Sequence, residues 1–211
     1  DITVDGSHML CYPGLVNTHH HLYQQFSRNL PEVQGFELFD WLRYLYDIWK
    51  NIDEELITLS SLTGMGELMK NGCTTCFDHH YVFPRDGGDL IAAQFEAAGL
   101  IGMRMHASRG SMDLSRKDGG LPPDSVVQTI DEIMKDSVRL IEKYHDPSKG
   151  SMRQIALAPC SPFSVSGELL KESAALARQY GVRLHTHLCE TKDEESYTLE
   201  RYGMRPYAYM E

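Results

Sequence analysis

The sequence predicts an α/β fold built on a parallel sheet, and three observations lead there. Five short β-like runs alternate with longer helical patterns along the whole chain. Helical patterns stop at glycines, Gly72, Gly99 and Gly181, with the next strand following closely. No low-complexity tract or domain linker interrupts the rhythm, so right-handed βαβ crossovers join successive strands.

The first expected strand is GLVNTHHHL, residues 14–22. Phe36 to Gly72 then reads as helix in two pieces, and CTTCFDHH, residues 73–80, is the second strand. That strand contains Cys73-Thr-Thr-Cys76, a spacing shared with redox and zinc motifs. In a strand, residues three apart face opposite sides, so the two read as ordinary buried thiols. A helix over Asp89 to Ala98 leads to the third strand, GMRMHAS, residues 102–108. The polar, glycine-rich stretch Arg109 to Pro123 is the one long loop; its length suits a lid, a binding loop or a plain surface excursion. Helices over Asp124 to Tyr144 and Gly167 to Tyr180 flank the fourth strand, QIALAPCS, residues 154–161. The fifth strand is VRLHTHLCE, residues 182–190.

The totals narrow the function classes. With 211 residues, 42% hydrophobic and 24% charged, the chain has the composition of a soluble globular protein. A net charge of −10 argues against a nucleic-acid partner, which calls for clustered Lys and Arg. No apolar run reaches the roughly 18 residues of a membrane span, and no signal peptide is expected. Five cysteines at irregular spacing do not describe a disulfide framework, which points to a reducing cytoplasm. Gly6-Ser7-His8-Met9 matches a protease-cleavage remnant and is set aside from the fold argument.

Parallel sheets of this kind are open doubly wound sheets or eight-stranded barrels, and both place their sites at the carboxyl ends of the strands. No GxGxxG or GxxxxGK[ST] follows a strand, so nothing there cradles a phosphate. Histidine stands there instead: eight of the ten histidines fall in the expected strands, where chance would scatter them. Residues i and i+2 of a strand share a face, so His19 and His21 point together and His20 points away. His185 and His187 form a second such pair, with Glu190 where the chain leaves the strand. A catalytic metal site commonly takes three protein ligands and keeps an open position, and His19, His21 and His187 supply such a set from two strands.

PGLVNTHHHL resembles the first-strand ending of the amidohydrolase superfamily, and HTHLCE resembles the fifth-strand signature of its deaminases. ELFDWLRYLYDIW, HASRGSMDLSRKDGGLPPDSVV and ALAPCSPFSVS extend the resemblance to the 8-oxoguanine deaminase group, over essentially the whole chain. The resemblance implies a parallel (β/α) barrel of TIM type, here about the first five of eight βα units. Residues 1–13 would end an N-terminal β-sandwich segment or linker, and 14–211 would form the partial metal-dependent hydrolase domain. The sixth-strand histidine and eighth-strand aspartate of the family are not in this stretch.

Under that resemblance His19, His21 and His187 hold one divalent metal ion, Zn2+ first and Fe2+ as the alternative. Glu190 moves protons, and His185 supports a ligand through a hydrogen bond. Around a substrate ring stand Gln24, whose amide can read a heterocycle edge, Trp41, Arg109 at the start of the long loop, and Cys160. The implied partner is a small purine- or pyrimidine-like molecule, with no nucleic acid and no membrane, and a homo-oligomer is compatible. The implied reaction is hydrolytic deamination, most directly of 8-oxoguanine. Guanine, isocytosine or cytosine deamination and hydroxytriazine aminohydrolysis are rival activities, and a non-catalytic metal-binding module is the rival of another class.

Overall fold

The computed structural model describes residues 2–211. Five parallel strands form one sheet in the order β1-β2-β3-β4-β5: Leu15–Asn17, Cys73–Asp78, Arg104–Ser111, Arg153–Pro159 and Arg183–Leu184. Every neighbouring pair is consecutive in sequence and parallel, as βαβ units require. The sheet curls strongly. His19 beyond the end of β1 and His185 beyond the end of β5 approach to 2.9 Å, although three strands separate β1 from β5. The architecture is a half-barrel with helices on its outside.

Among the described residues, seven α-helices follow in chain order: α1 Leu38–Trp49, α2 Glu54–Lys70, α3 Leu90–Ile101, α4 Ile130–Tyr144, α5 Gly167–Tyr180, α6 Lys192–Tyr202 and α7 Pro206–Met210. Their starts are written in the sequence. Asp53, Asp89 and Ser166 cap α2, α3 and α5 by accepting a backbone N–H, and Thr129 with Glu132 forms a reciprocal capping box on α4. Met105 and Ala107 of β3 and Ile155 and Leu157 of β4 are buried in one core with Ile57, Ile91, Ile133, Leu140 and Leu169 of the surrounding helices. Each such large side chain stabilises the packing by about 1.5–3 kcal/mol, which fixes the helix layer to the outer face of the sheet.

Several boundaries differ from the sequence expectation. α4 starts at Ile130 rather than Asp124, because Asp124–Val126 forms a separate 3-10 turn and Thr129 caps the helix. α3 does not stop at Gly99 but runs to Ile101, where Gly102 at φ 75° supplies the left-handed turn. β3 extends to Ser111, so Arg109 lies inside a strand rather than opening a loop. β1 and β5 are only three and two residues long, which leaves His19 to His21 and His185 to His187 just beyond the ladders.

The strand extension of β3 depends on a close approach. Gly110 donates its N–H to the His80 carbonyl at 2.9 Å, and a Cβ at Gly110 would fall 2.1 Å from that oxygen. The following long segment is tied down: the Asp113 carboxylate accepts from Ser166 N at 2.7 Å and Ser166 Oγ at 2.5 Å, ahead of α5. Residues 2–14 carry no helix or strand and lie exposed.

Candidate metal centre and adjoining cavity

Histidines converge where β1 and β5 end. His19 Nε2 lies 3.2 Å from His21 Nε2, and His187 Nε2 lies 3.1 Å from that same atom. The ligand atoms of His19, His21 and His187 all fall within 4.8 Å of one another. His20 does not belong to this group of ligand atoms; its carbonyl accepts the His79 N–H at 2.7 Å.

Backbone carbonyls set the tautomers. His21 Nδ1 donates to the His79 carbonyl at 2.7 Å, and His187 Nδ1 donates to the Cys160 carbonyl at 2.8 Å. With their protons on Nδ1, both rings turn a bare Nε2 lone pair toward the shared point. His19 follows the same rule when its Nδ1 proton goes to His185 Nε2, 2.9 Å away. His185 therefore orients His19 rather than competing for the same point.

Burial keeps the cluster neutral. It pushes the His21 pKa well down, and the neighbouring His187 charge adds to the effect. Burial lowers His187 to about 4, with the hydrogen bond to Cys160 opposing. His19 and His185 are lowered by burial too. Three uncharged nitrogens crowded without protons to share among them could hold a metal ion. Nitrogens bound to zinc at 2.0–2.1 Å in tetrahedral geometry sit roughly 3.3 Å apart, close to the separations seen here. The donor set fits a divalent metal of the imidazole-binding class.

His79 is the residue that sequence reasoning passed over. It is fully buried, its ring stacks on His187 at 4.4 Å, and its carbonyl orients His21. With His19 and His185 it makes a second close group of nitrogens. The parity rule that paired His19 with His21 would have found it. Phe77, His79 and Tyr81 alternate along and beyond β2, and lie beside His185, His187 and His21 respectively. Asp78, on the opposite parity, is buried and accepts the Leu22 N–H at 2.6 Å and Gln94 Nε2 at 2.5 Å. It thereby anchors the turn that immediately follows His21, and its burial raises the carboxyl pKa to about 7.

Beside the histidines lies a cavity of about 180 Å³. Its polar wall holds His21, Gln24, Cys160, His187 and Glu190, and its apolar wall includes Leu38, Trp41 and Phe163. Drug-sized ligands occupy pockets of roughly 300–1,000 Å³, so this slot suits a smaller, flat molecule. A more open cleft of about 390 Å³ shares Gln24 and Trp41 as walls and reaches past His19 and His20. Cys160 is buried and its thiol is pushed up to about 12, so it stays protonated and serves as a weak donor rather than a nucleophile. Glu190 stands at the rim, open to solvent on one side; burial of its carboxyl raises its pKa, with Glu194 adding to the rise.

Arg109 does not join them. The sequence put it at a loop start against the substrate, but its position in β3 gives it the parity of Met105 and Ala107, whose side chains are buried in the core with the helices. Its side chain is fully buried. Nε donates to Asp136 of α4 at 2.6 Å, Nη2 to Gln128 at 2.7 Å, and Nη1 to the Gly110 carbonyl. The guanidinium covers Phe83 at 4.0 Å. It is a strut between β3 and α4.

Comparison with known proteins follows the same lines. The model of the amidohydrolase family matches residues 10–209. The chain is 47% identical over 207 residues to 8-oxoguanine deaminase of Pseudomonas aeruginosa, covering 98% of this chain and 46% of that protein. It is 42% identical over 200 residues to hydroxydechloroatrazine ethylaminohydrolase of Pseudomonas sp. strain ADP, covering 93% of this chain and 41% of that protein. The crystal structure of the atrazine chlorohydrolase TrzN from Arthrobacter aurescens TC1 complexed with zinc superposes with a TM-score of 0.88 at 32% identity, over 94% of this chain and 45% of that one. The chain thus spans about half the length of the curated relatives it matches.

Proposed function

Because this chain belongs to the amidohydrolase family, we propose that the complete protein is a metal-dependent hydrolytic deaminase of an aminated nitrogen heterocycle. The observation that carries the reading is the convergence of three neutral imidazole nitrogens on one point, at the wall of a ring-sized cavity that also contains a carboxyl group. His19, His21 and His187 would hold the ion, Zn2+ in the first instance and Fe2+ as the alternative. When bound, a divalent ion lowers the pKa of a coordinated water from about 15.7 to about 7, which makes a nucleophile available at neutral pH.

The chain's own residues do the rest. Trp41 and Phe163 flank the ring, Gln24 reads one polar edge through its paired donor and acceptor, and the Cys160 thiol lies against another. Glu190 takes the proton of the attacking water as the new C–O bond forms at the amine-bearing carbon, and delivers it to the ring nitrogen. The same carboxyl then takes the remaining proton from the new hydroxyl and passes it to the departing amine, so that C=O forms as the C–N bond breaks and ammonia leaves. A carboxyl in both roles needs a pKa lifted toward the working pH, the direction in which burial moves Glu190.

For the substrate we propose 8-oxoguanine, converted to urate and ammonia, supported by the similarity to the Pseudomonas aeruginosa 8-oxoguanine deaminase. A hydroxytriazine is the second reading, favoured by the similarity to hydroxydechloroatrazine ethylaminohydrolase. Ammonia release by the zinc-loaded complete gene product, across 8-oxoguanine, guanine, isocytosine and a hydroxytriazine, separates them. Highest kcat/KM on 8-oxoguanine is the expected result. Activity confined to triazines or to isocytosine overturns the substrate and keeps the mechanism, whereas no ammonia from any of them overturns the deaminase reading.

A further inference from the structure

We propose that Glu194 is a positioning residue for Glu190, holding the turn that aims the Glu190 carboxyl at the ring cavity. The chemical consequence rests on the deaminase reading; the clamp itself rests on geometry alone.

Between His187 and α6 the chain turns sharply. Cys189 takes φ 58°, a left-handed conformation that a non-glycine residue keeps only where its surroundings hold it. Glu194, the third residue of α6, sits behind that turn with no exposed surface. Glutamate is almost never fully buried unless it is paired, and here the partners are backbone amides rather than a cation. Oε1 accepts the Cys189 N–H at 3.1 Å and Oε2 accepts the Glu190 N–H at 2.7 Å. The two bonds bracket the Cys189 Cα. They reach past Thr191, the residue that precedes α6, and so farther back than an ordinary capping box, which returns to the cap amide itself. The first turn of a helix carries partial positive charge, which favours a carboxylate in that position.

The direction of Glu190 matters because it borders two spaces. One is the ring cavity with His187 and Cys160. The other is a cleft of about 510 Å³ that holds Arg205, paired with Glu195 at 3.0 Å, and Lys192, a cation that would draw a freed carboxylate outward. With both amides held, the turn cannot relax to an extended φ at Cys189, and Glu190 stays beside the ring. Losing one bond releases that choice.

The test uses the zinc-loaded complete gene product. Glu194→Gln keeps the shape but supplies one acceptor oxygen, and turns an amino group toward the other N–H. Expected are a fall in kcat of about 10²-fold with KM near that of the parent, the signature of a misplaced reacting group. Zinc content should hold, and Glu190→Gln combined with Glu194→Gln should be no slower than Glu190→Gln alone. Additive losses in the double variant, or zinc lost together with activity, would show a merely structural role and overturn the proposal. Amide hydrogen exchange on the unsubstituted protein gives a second reading independent of substrate. Cys189 and Glu190 amides should exchange as slowly as those inside α6. Free exchange at both removes the clamp, whatever the substrate proves to be. Slow exchange without ammonia release from any heterocycle leaves the clamp standing and overturns only the deaminase reading.

Discussion

Replacing Arg109 with leucine separates a strut from a substrate contact. The substitution removes a fully buried guanidinium, its 2.6 Å pair with Asp136, its 2.7 Å bond to Gln128 and its stacking over Phe83. Breaking a buried charge pair by deleting one partner costs about 3–5 kcal/mol. Asp136 is 27% exposed and keeps Arg139 at 2.7 Å, which places the loss of the pair at the low end of that range. The Gln128 oxygen left without its donor adds about 1–3 kcal/mol where water does not replace the bond. The expected loss is therefore about 3–6 kcal/mol in all, read as ΔΔG from chemical denaturation of the complete gene product at neutral pH. KM should stay near that of the parent under conditions where the variant remains folded. A variant of parental stability whose KM rises roughly tenfold or more would return Arg109 to the substrate site and refute the strand parity assigned to β3.

Glu190→Gln should retain metal and lose turnover by about 10²–10⁴-fold, because an amide matches the shape but cannot cycle a proton. Retention of more than about a tenth of the parental kcat would remove Glu190 from the chemistry. Acid should weaken the metal-free fold below pH 6.5. His80 is lowered by burial to about 3 and His187 to about 4, so between those values and 6.5 the unfolded chain binds protons that the fold refuses. Their stabilisation is complete above 6.5 and is lost as pH falls, at up to about 1.4 kcal/mol per unit for each imidazole. Asp78 acts oppositely, since its raised pKa of about 7 makes the fold hold a proton more tightly than the unfolded chain from there down to 3.8. Asp113 and Glu190 are raised by burial and act the same way, but His21 and His79 are held well below their ordinary value and His19, His20, His106 and His185 are lowered too, so the net effect is a loss. Denaturation midpoints that hold or rise from pH 6.5 to 5 would contradict it.

The alternation of strand and helix was legible because each helix announces its start, as Asp53, Asp89, Thr129 and Ser166 do in the structure. The ends of strands were not. Whether Arg109 continues β3 depends on pairing with Leu157 of β4, and whether His185 continues β5 depends on ladder bonds that no local pattern encodes. That single boundary turned Arg109 from a loop residue into a core strut. In the site, His19, His21, His187 and Glu190 were legible from spacing together with family resemblance, and the structure gathers them with Gln24, Trp41 and Cys160. His79, Asp78 and Glu194 were not, because each acts by orienting a neighbour's backbone or ring. Their partners, His21, Leu22 and the Cys189–Glu190 amides, are fixed only by the fold.

The most direct test of the metal centre is the zinc content of His19→Ala, His20→Ala and His21→Ala in the complete gene product. His19 and His21 each direct a bare nitrogen at the shared point, and His20, one residue from both, lies outside that group with its Nδ1 buried and unpartnered. Loss of tight zinc binding is expected from His19→Ala and from His21→Ala, since each removes one of the three nitrogens gathered at the shared point. His20→Ala is expected to keep a zinc content near that of the parent. Zinc lost from His20→Ala and retained in either neighbour would shift the register by one residue and contradict the site.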